Sequence, residues 1–109
     1  MKKMVLIFVN GMESDPAKAI QLCTKAAFGA YNKLGFLEKG RKKDFETIVV
    51  HVLDIQNLMG IKYNVDKYGI NHFLITNDEK NPDPMETVLA VGPEENEKLN
   101  KMSTGLRLF

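Results

Sequence analysis

MVLIFVNGMESDPAKAIQLCTKAAFGAY, residues 4–31, reads as a strand, a loop and a helix in immediate succession. Met4 to Val9 is an unbroken apolar run ending at Asn10-Gly11, the pattern of a strand covered on both faces. Ser14 or Asp15 can accept hydrogen bonds from the free N–H groups of a helix start, and Pro16 suits the first helical position, where its missing N–H costs nothing. The spacing of Ile20, Cys23, Ala27, Ala30 or Tyr31, and Leu34 predicts an apolar helical stripe, with alanines that allow close approach to a sheet and Gly35 as a stop.

Outward from this unit the alternation continues. EKGRKK, residues 38–43, places four cations within six residues ahead of ETIVVHVLD, a second strand. Asp54 can cap a helix whose stripe is Ile55, Leu58, Ile61, Val65 and Tyr68, stopped by Gly69. INHFLIT predicts a third strand, and the two prolines between Asn77 and Met85 predict an ordered loop. ETVLAVGP predicts a fourth strand, followed by a short polar helix from about Glu94 to Met102 and a tail, TGLRLF, whose apolar residues should dock on the domain. Strands alternating with helices predict an α/β three-layer sandwich: a four-stranded mixed sheet, helices on both faces, and a right-handed crossover joining a parallel pair. Functional groups in such sheets gather beyond the carboxyl ends of the strands, which places the opening loop and the segment after Thr76 at the expected site.

The 109 residues form one expected domain, 1–109; 44% of them are hydrophobic and 27% charged, a size at which folding buries roughly 65% of the unfolded chain's surface. A net charge of +1 gives no global attraction to nucleic acid or anionic membrane, so such binding needs a local patch. The run Met4–Val9 is shorter than a secretory h-region and lacks a following cleavage site, and no stretch reaches a membrane span. Together with a single cysteine, Cys23, these features predict a cytoplasmic protein. Cys23 lies on the predicted stripe and reads as a buried, inert thiol. His51 and His72 have no carboxylate or cysteine at metal-ligand spacing, so neither a metal nor a cofactor is expected.

With the elements in order, the chain resembles the type 2 peptidyl-tRNA hydrolases. ETVLAVGPEENEKLNKMSTGLRLF is similar to the family's TVLAxGP strand, its short polar helix and its closing TGxLKL; AKAIQLCTKAAFGAY, residues 17–31, sets without a gap against GKxAAQxxHAALGAY. The resemblance covers nearly the whole chain. It departs at the chemistry: of the family's lysine, glutamine and histidine on that helix, the chain has Lys18, Leu22 and Lys25. Where the family has RxDL, residues 9–12 are VNGM, and DAGxT is met by NDEKN at 77–81.

The resemblance implies hydrolysis of the ester between a peptide and the terminal ribose of tRNA, and a homodimer. That chemistry wants a placed water, a proton acceptor, donors for the oxyanion and cations for the acceptor-stem phosphates. The residues in position are Lys18 and Asp78 as catalytic groups, and Lys25 and Asn77 as substrate contacts. Lys18, beside a helix N-terminus, suits an anion. Lys25, two turns on, shares its face and extends a basic stripe toward tRNA or another anionic ligand, but lysine in place of histidine keeps charge and loses acid/base function. Asp78 reads also as a turn residue, since Asn-Asp initiates turns. A divergent hydrolase, an anion- or RNA-binding protein without turnover, and a non-catalytic interaction module for a protein or small molecule all fit these residues.

Overall fold

Alternation along the first strand builds two cores, one on each face of the sheet. In the computed structural model, which describes residues 2–33, 46–95 and 97–99, β1 (Lys2–Val9), β2 (Glu46–Val52), β3 (His72–Ile75) and β4 (Val88–Glu95) form one sheet in the order β2-β1-β4-β3. β1 runs parallel to β2, from Lys3 opposite Glu46 to Val9 opposite Val52. It runs antiparallel to β4, which in turn pairs antiparallel with β3. Successive strand side chains point to opposite faces. Met4, Leu6 and Phe8 therefore join Val88 and Ala90 beneath α1 (Pro16–Asn32), while Val5, Ile7 and Val9 join Leu89 and Val91 beneath α2 (Ile55–Lys67). The sheet is mixed and has a helix on each face, the predicted sandwich.

α1 begins as expected: Pro16 opens it, and the carboxylate of Asp15, rather than Ser14, accepts the Lys18 N–H at 3.3 Å. Its buried stripe is not the predicted one. Leu22, Ala26 and Ala30 are buried, whereas Ile20 is 68% exposed and Cys23 only half-buried. Close approach decides this. A β-carbon at Gly29 would lie 2.4 Å from the Phe73 ring, so α1 turns Gly29 and the neighbouring Ala26 and Ala30 toward the sheet and leaves Ile20 and Phe28 outside. Asn71 secures the contact, donating from one amide nitrogen to the carbonyls of Ala30 and Gly92 at 2.7 and 2.8 Å.

α2 follows its predicted pattern at Leu58, Ile61 and Val65, with Asp54 capping Asn57 N–H at 2.9 Å. Tyr68, assigned to that stripe, is 44% exposed, because the helix has ended at Lys67 and the chain turns at Gly69 with φ of +66°. β4 continues to Glu95, so the short helix begins later than Glu94; residues 97–99 are helical and Leu99 is buried. Leu34, Gly35, the basic run 38–43, the remainder of the short helix and the tail TGLRLF lie outside the described residues. No helix among the described residues is long and apolar enough to cross a membrane.

Because β1, β2 and β3 all point one way and β4 the other, three strand exits and the β4 entrance share one edge. The loop 76–87 is fastened there by hydroxyls. Thr87, fully buried, donates to the Asp83 carbonyl at 2.8 Å, and its oxygen lies 2.8 Å from that of Thr76. Thr87→Val keeps the shape but strips both partners, and is expected to cost about 1–2 kcal/mol. The check is a lower urea midpoint with an unchanged slope of the transition.

Candidate functional site

The site at this edge is assembled from two tight turns, one leading into α1 and one into β4. After β1, Gly11 takes φ of +109°, a left-handed conformation that suits glycine. It turns the chain into a single helical turn, Met12–Ser14, in which Ser14 donates to the Gly11 carbonyl at 2.7 Å and the Glu13 carboxylate accepts the Gly11 N–H at 2.9 Å. Met12 is buried and anchors the turn from below. Before β4, Asp83 caps the turn Pro84–Glu86 by accepting the Met85 N–H at 2.9 Å. Met85 closes the space between the two turns: its methyl group would stand 3.4 Å from a β-carbon at Gly11.

This geometry sets Lys18, in the first turn of α1, against Glu86. The Lys18 ammonium donates to the Glu86 carboxylate, and the two side chains remain 37% and 36% exposed. The Glu86 hydrogen bond pushes the Lys18 pKa up, burial opposes it, and the charges of Glu86, Asp15 and Asp83 add to the rise. Lys18 is thus a firmly held cation facing solvent at the mouth, at the start of α1, where Asp15 already takes the Lys18 N–H and Pro16 has none. Glu13 is held below the usual carboxylate range by its own backbone N–H and that of Gly11.

The other sequence-assigned residues are placed differently. Asp78 is exposed and its carboxylate accepts the Lys80 N–H at 2.9 Å, the geometry of a turn. The carboxylate brought to Lys18 is Glu86, not Asp78. Asn77 accepts the Asp83 N–H at 2.9 Å and so closes the loop that carries Glu86. Lys25 is exposed and makes no ion pair with the described residues, while Leu22, between it and Lys18, belongs to the core at 9% exposure. The basic stripe is therefore interrupted, with Lys18 drawn to the mouth and Lys25 left in solvent. Cys23 lines an open apolar groove with Met4, Leu6, Ile20 and Phe28 on the α1 face; burial pushes its thiol up, away from thiolate chemistry. Among the described residues no group of three or more His, Cys, Asp or Glu side chains is arranged to hold a metal ion.

Sequence reading missed Glu86. It stands next to a strand and reads there as the polar lead-in to ETVLAVGP; only the antiparallel register, Phe8 opposite Val88, carries it to the same edge as the α1 start. No spacing along the chain signals a contact across 68 residues.

Comparison with known proteins agrees with this arrangement of strands and turns. A Fowlpox virus (strain NVSL) protein named "Putative peptidyl-tRNA hydrolase" is 24% identical over 112 residues, which cover 98% of this chain and 89% of the viral protein. The family model for Peptidyl-tRNA hydrolase PTH2 matches residues 2–109, a span that includes every element of the sheet, the α1 start with Lys18 and the β4 entrance with Glu86. With the match extending over the whole sandwich and over the edge where Lys18 sits, the chain belongs to the peptidyl-tRNA hydrolase PTH2 family.

Proposed function

We propose that the protein hydrolyses the ester of peptidyl-tRNA at the mouth between the α1 start and the β4 entrance. The observation that carries this reading is the Lys18–Glu86 pair, more than a third exposed to solvent and set at the start of α1. Attack of water on the ester carbonyl moves negative charge onto the carbonyl oxygen, and a fixed ammonium beside that oxygen stabilises the transition state more than the ground state. Glu86 holds Lys18 in place and charged. In this reading Asn77 shapes the loop instead of touching substrate, Lys25 meets acceptor-stem phosphate further along α1, and Asp78 yields its assigned role to Glu86. The substrate places the protein in the cytoplasm with the ribosomes that make it. The homodimer implied by the family resemblance is part of the same proposal, and light scattering tests it.

One observation favours a second reading, retained RNA binding without turnover. The positions resembling the family's glutamine and histidine hold Leu22, which is in the core, and Lys25, which is an exposed cation. Incubating the full chain with peptidyl-tRNA and with free tRNA at two salt concentrations separates the two. Turnover of peptidyl-tRNA supports the hydrolase. Salt-weakened binding without turnover replaces it with the binding protein. Neither turnover nor binding replaces both with a non-catalytic interaction module.

A further inference from the structure

We infer that His51 is the proton-transfer residue of this site; the inference rests on the hydrolytic reading above. Among the described residues, the charged groups closest to Lys18 are already engaged. Lys18 is held cationic, Glu86 is occupied with Lys18, and Asp78 and Asp83 each spend a carboxylate oxygen on a backbone N–H. Imidazole is the side chain that ordinarily changes charge near neutral pH.

Three observations place His51 at the same edge of the sheet as the site, with its ring open to solvent. First, it lies at the carboxyl end of β2, opposite Phe8 and one residue before Val52, whose carbonyl accepts the Asn10 N–H at 2.8 Å. The turn that leads to Lys18 therefore starts beside it. Second, it is on the face of the sheet that α1 covers: it shares the strand alternation with Thr47, which lines the groove against α1, and its ring stacks on Phe8 at 6.0 Å and 29°. Third, it is exposed, and neither ring nitrogen has a hydrogen-bond partner among the described residues. The other histidine shows the contrast. His72 has Nδ1 2.8 Å from the Ile70 carbonyl and Nε2 2.9 Å from the Asp66 carboxylate, so both of its nitrogens are committed to structure, whereas those of His51 are available to exchange a proton.

Glu13 lies in the turn after β1, where its carboxylate accepts the Gly11 N–H at 2.9 Å. The remaining charged groups at this edge among the described residues are Asp15 in the loop after β1, Lys18 on α1, Asp54 after β2, Asp78, Glu79 and Lys80 after β3, and Asp83 and Glu86 before β4. Asp15 and Asp54 are engaged as helix caps.

The step balances without a co-reactant. A nitrogen of His51 takes a proton from water as the water oxygen bonds to the ester carbon, and Lys18 faces the oxyanion. When the tetrahedral species collapses, the bond from carbon to the ribose oxygen breaks, and the imidazolium returns its proton to that oxygen. Free tRNA and the peptide acid are the products.

The test is the pH dependence of kcat/KM on peptidyl-tRNA for the native chain and His51→Gln, with thermal unfolding recorded for each. His51→Gln is expected to lower kcat/KM about 100-fold or more and to flatten the acid limb of the profile, with unchanged unfolding. A native chain that turns over while His51→Gln keeps its rate and profile overturns the role of His51 alone. A native chain without turnover overturns the hydrolytic reading and this inference with it.

Discussion

Alanine at Gly92 is expected to destabilise the fold by about 2–6 kcal/mol, the combined range for a β-carbon in left-handed backbone and for overpacking. Gly92 has φ of +105°, and an added β-carbon would stand 2.5 Å from the Lys3 carbonyl oxygen and 2.9 Å from the Glu94 nitrogen. Both neighbours are backbone, in a stretch where the pairing of β1 with β4 shifts register between Lys3 and Val5, so neither can swing aside as a side chain would. A domain of this size commands about 5–15 kcal/mol in all, and the loss removes a large share of it. Gly60→Ala is the matched control. It lies inside α2 with nothing within 4 Å of an added β-carbon, and alanine there is expected to stabilise by up to about 1 kcal/mol through helix propensity. Urea unfolding of the two variants checks both signs at once, and equal midpoints would contradict the close approach at Gly92.

The second large effect concerns the mouth. Lys18→Ala is expected to lower kcat/KM for peptidyl-tRNA by about 100- to 1000-fold, the range for removing one group that meets an oxyanion, while unfolding changes little because the pair is more than a third exposed. Glu86→Gln, which leaves the ammonium present but less firmly held, is expected to cost less. The exchange Lys18→Glu with Glu86→Lys separates chemistry from structure. It rebuilds an ion pair across the same gap but moves the cation from the helix start to the β4 entrance, so stability is expected to be kept and activity is not. Recovery of turnover in the exchanged protein would mean that the pair serves only to join the two turns.

How much of this is legible in the chain depends on the range of the interaction. Local signals carry the elements: Asp15-Pro16 opens α1, Asp54 opens α2 and Gly69 closes it, and the continuous run in β1 marks a strand buried on both sides. The facing of α1 is not local. Its periodicity fits two stripes one residue apart, and the choice between them is made by Phe73, an aromatic on a strand some forty residues later that requires a glycine opposite it. The site divides in the same way. Lys18 is found from its place at a helix start and from family resemblance. Its partner Glu86 and the placement of His51 beside Phe8 are produced by strand register, to which a linear motif is blind. Asp78 drew attention because it follows a strand exit, yet Asn-Asp at such a position is also turn chemistry, and the Lys80 N–H takes its carboxylate.

The claim on which the functional account stands is that this family scaffold still cleaves its ester with water, using Lys18 at the mouth. A single-turnover reaction of the full chain with peptidyl-tRNA in ¹⁸O-labelled water tests it directly. The account predicts that the released peptide carries one labelled oxygen in its carboxylate, that the tRNA is recovered with its terminal ribose intact, and that Lys18→Ala slows the release about 100-fold or more. Peptidyl-tRNA that stays intact with enzyme in excess, or release that proceeds equally fast in Lys18→Ala, would contradict it.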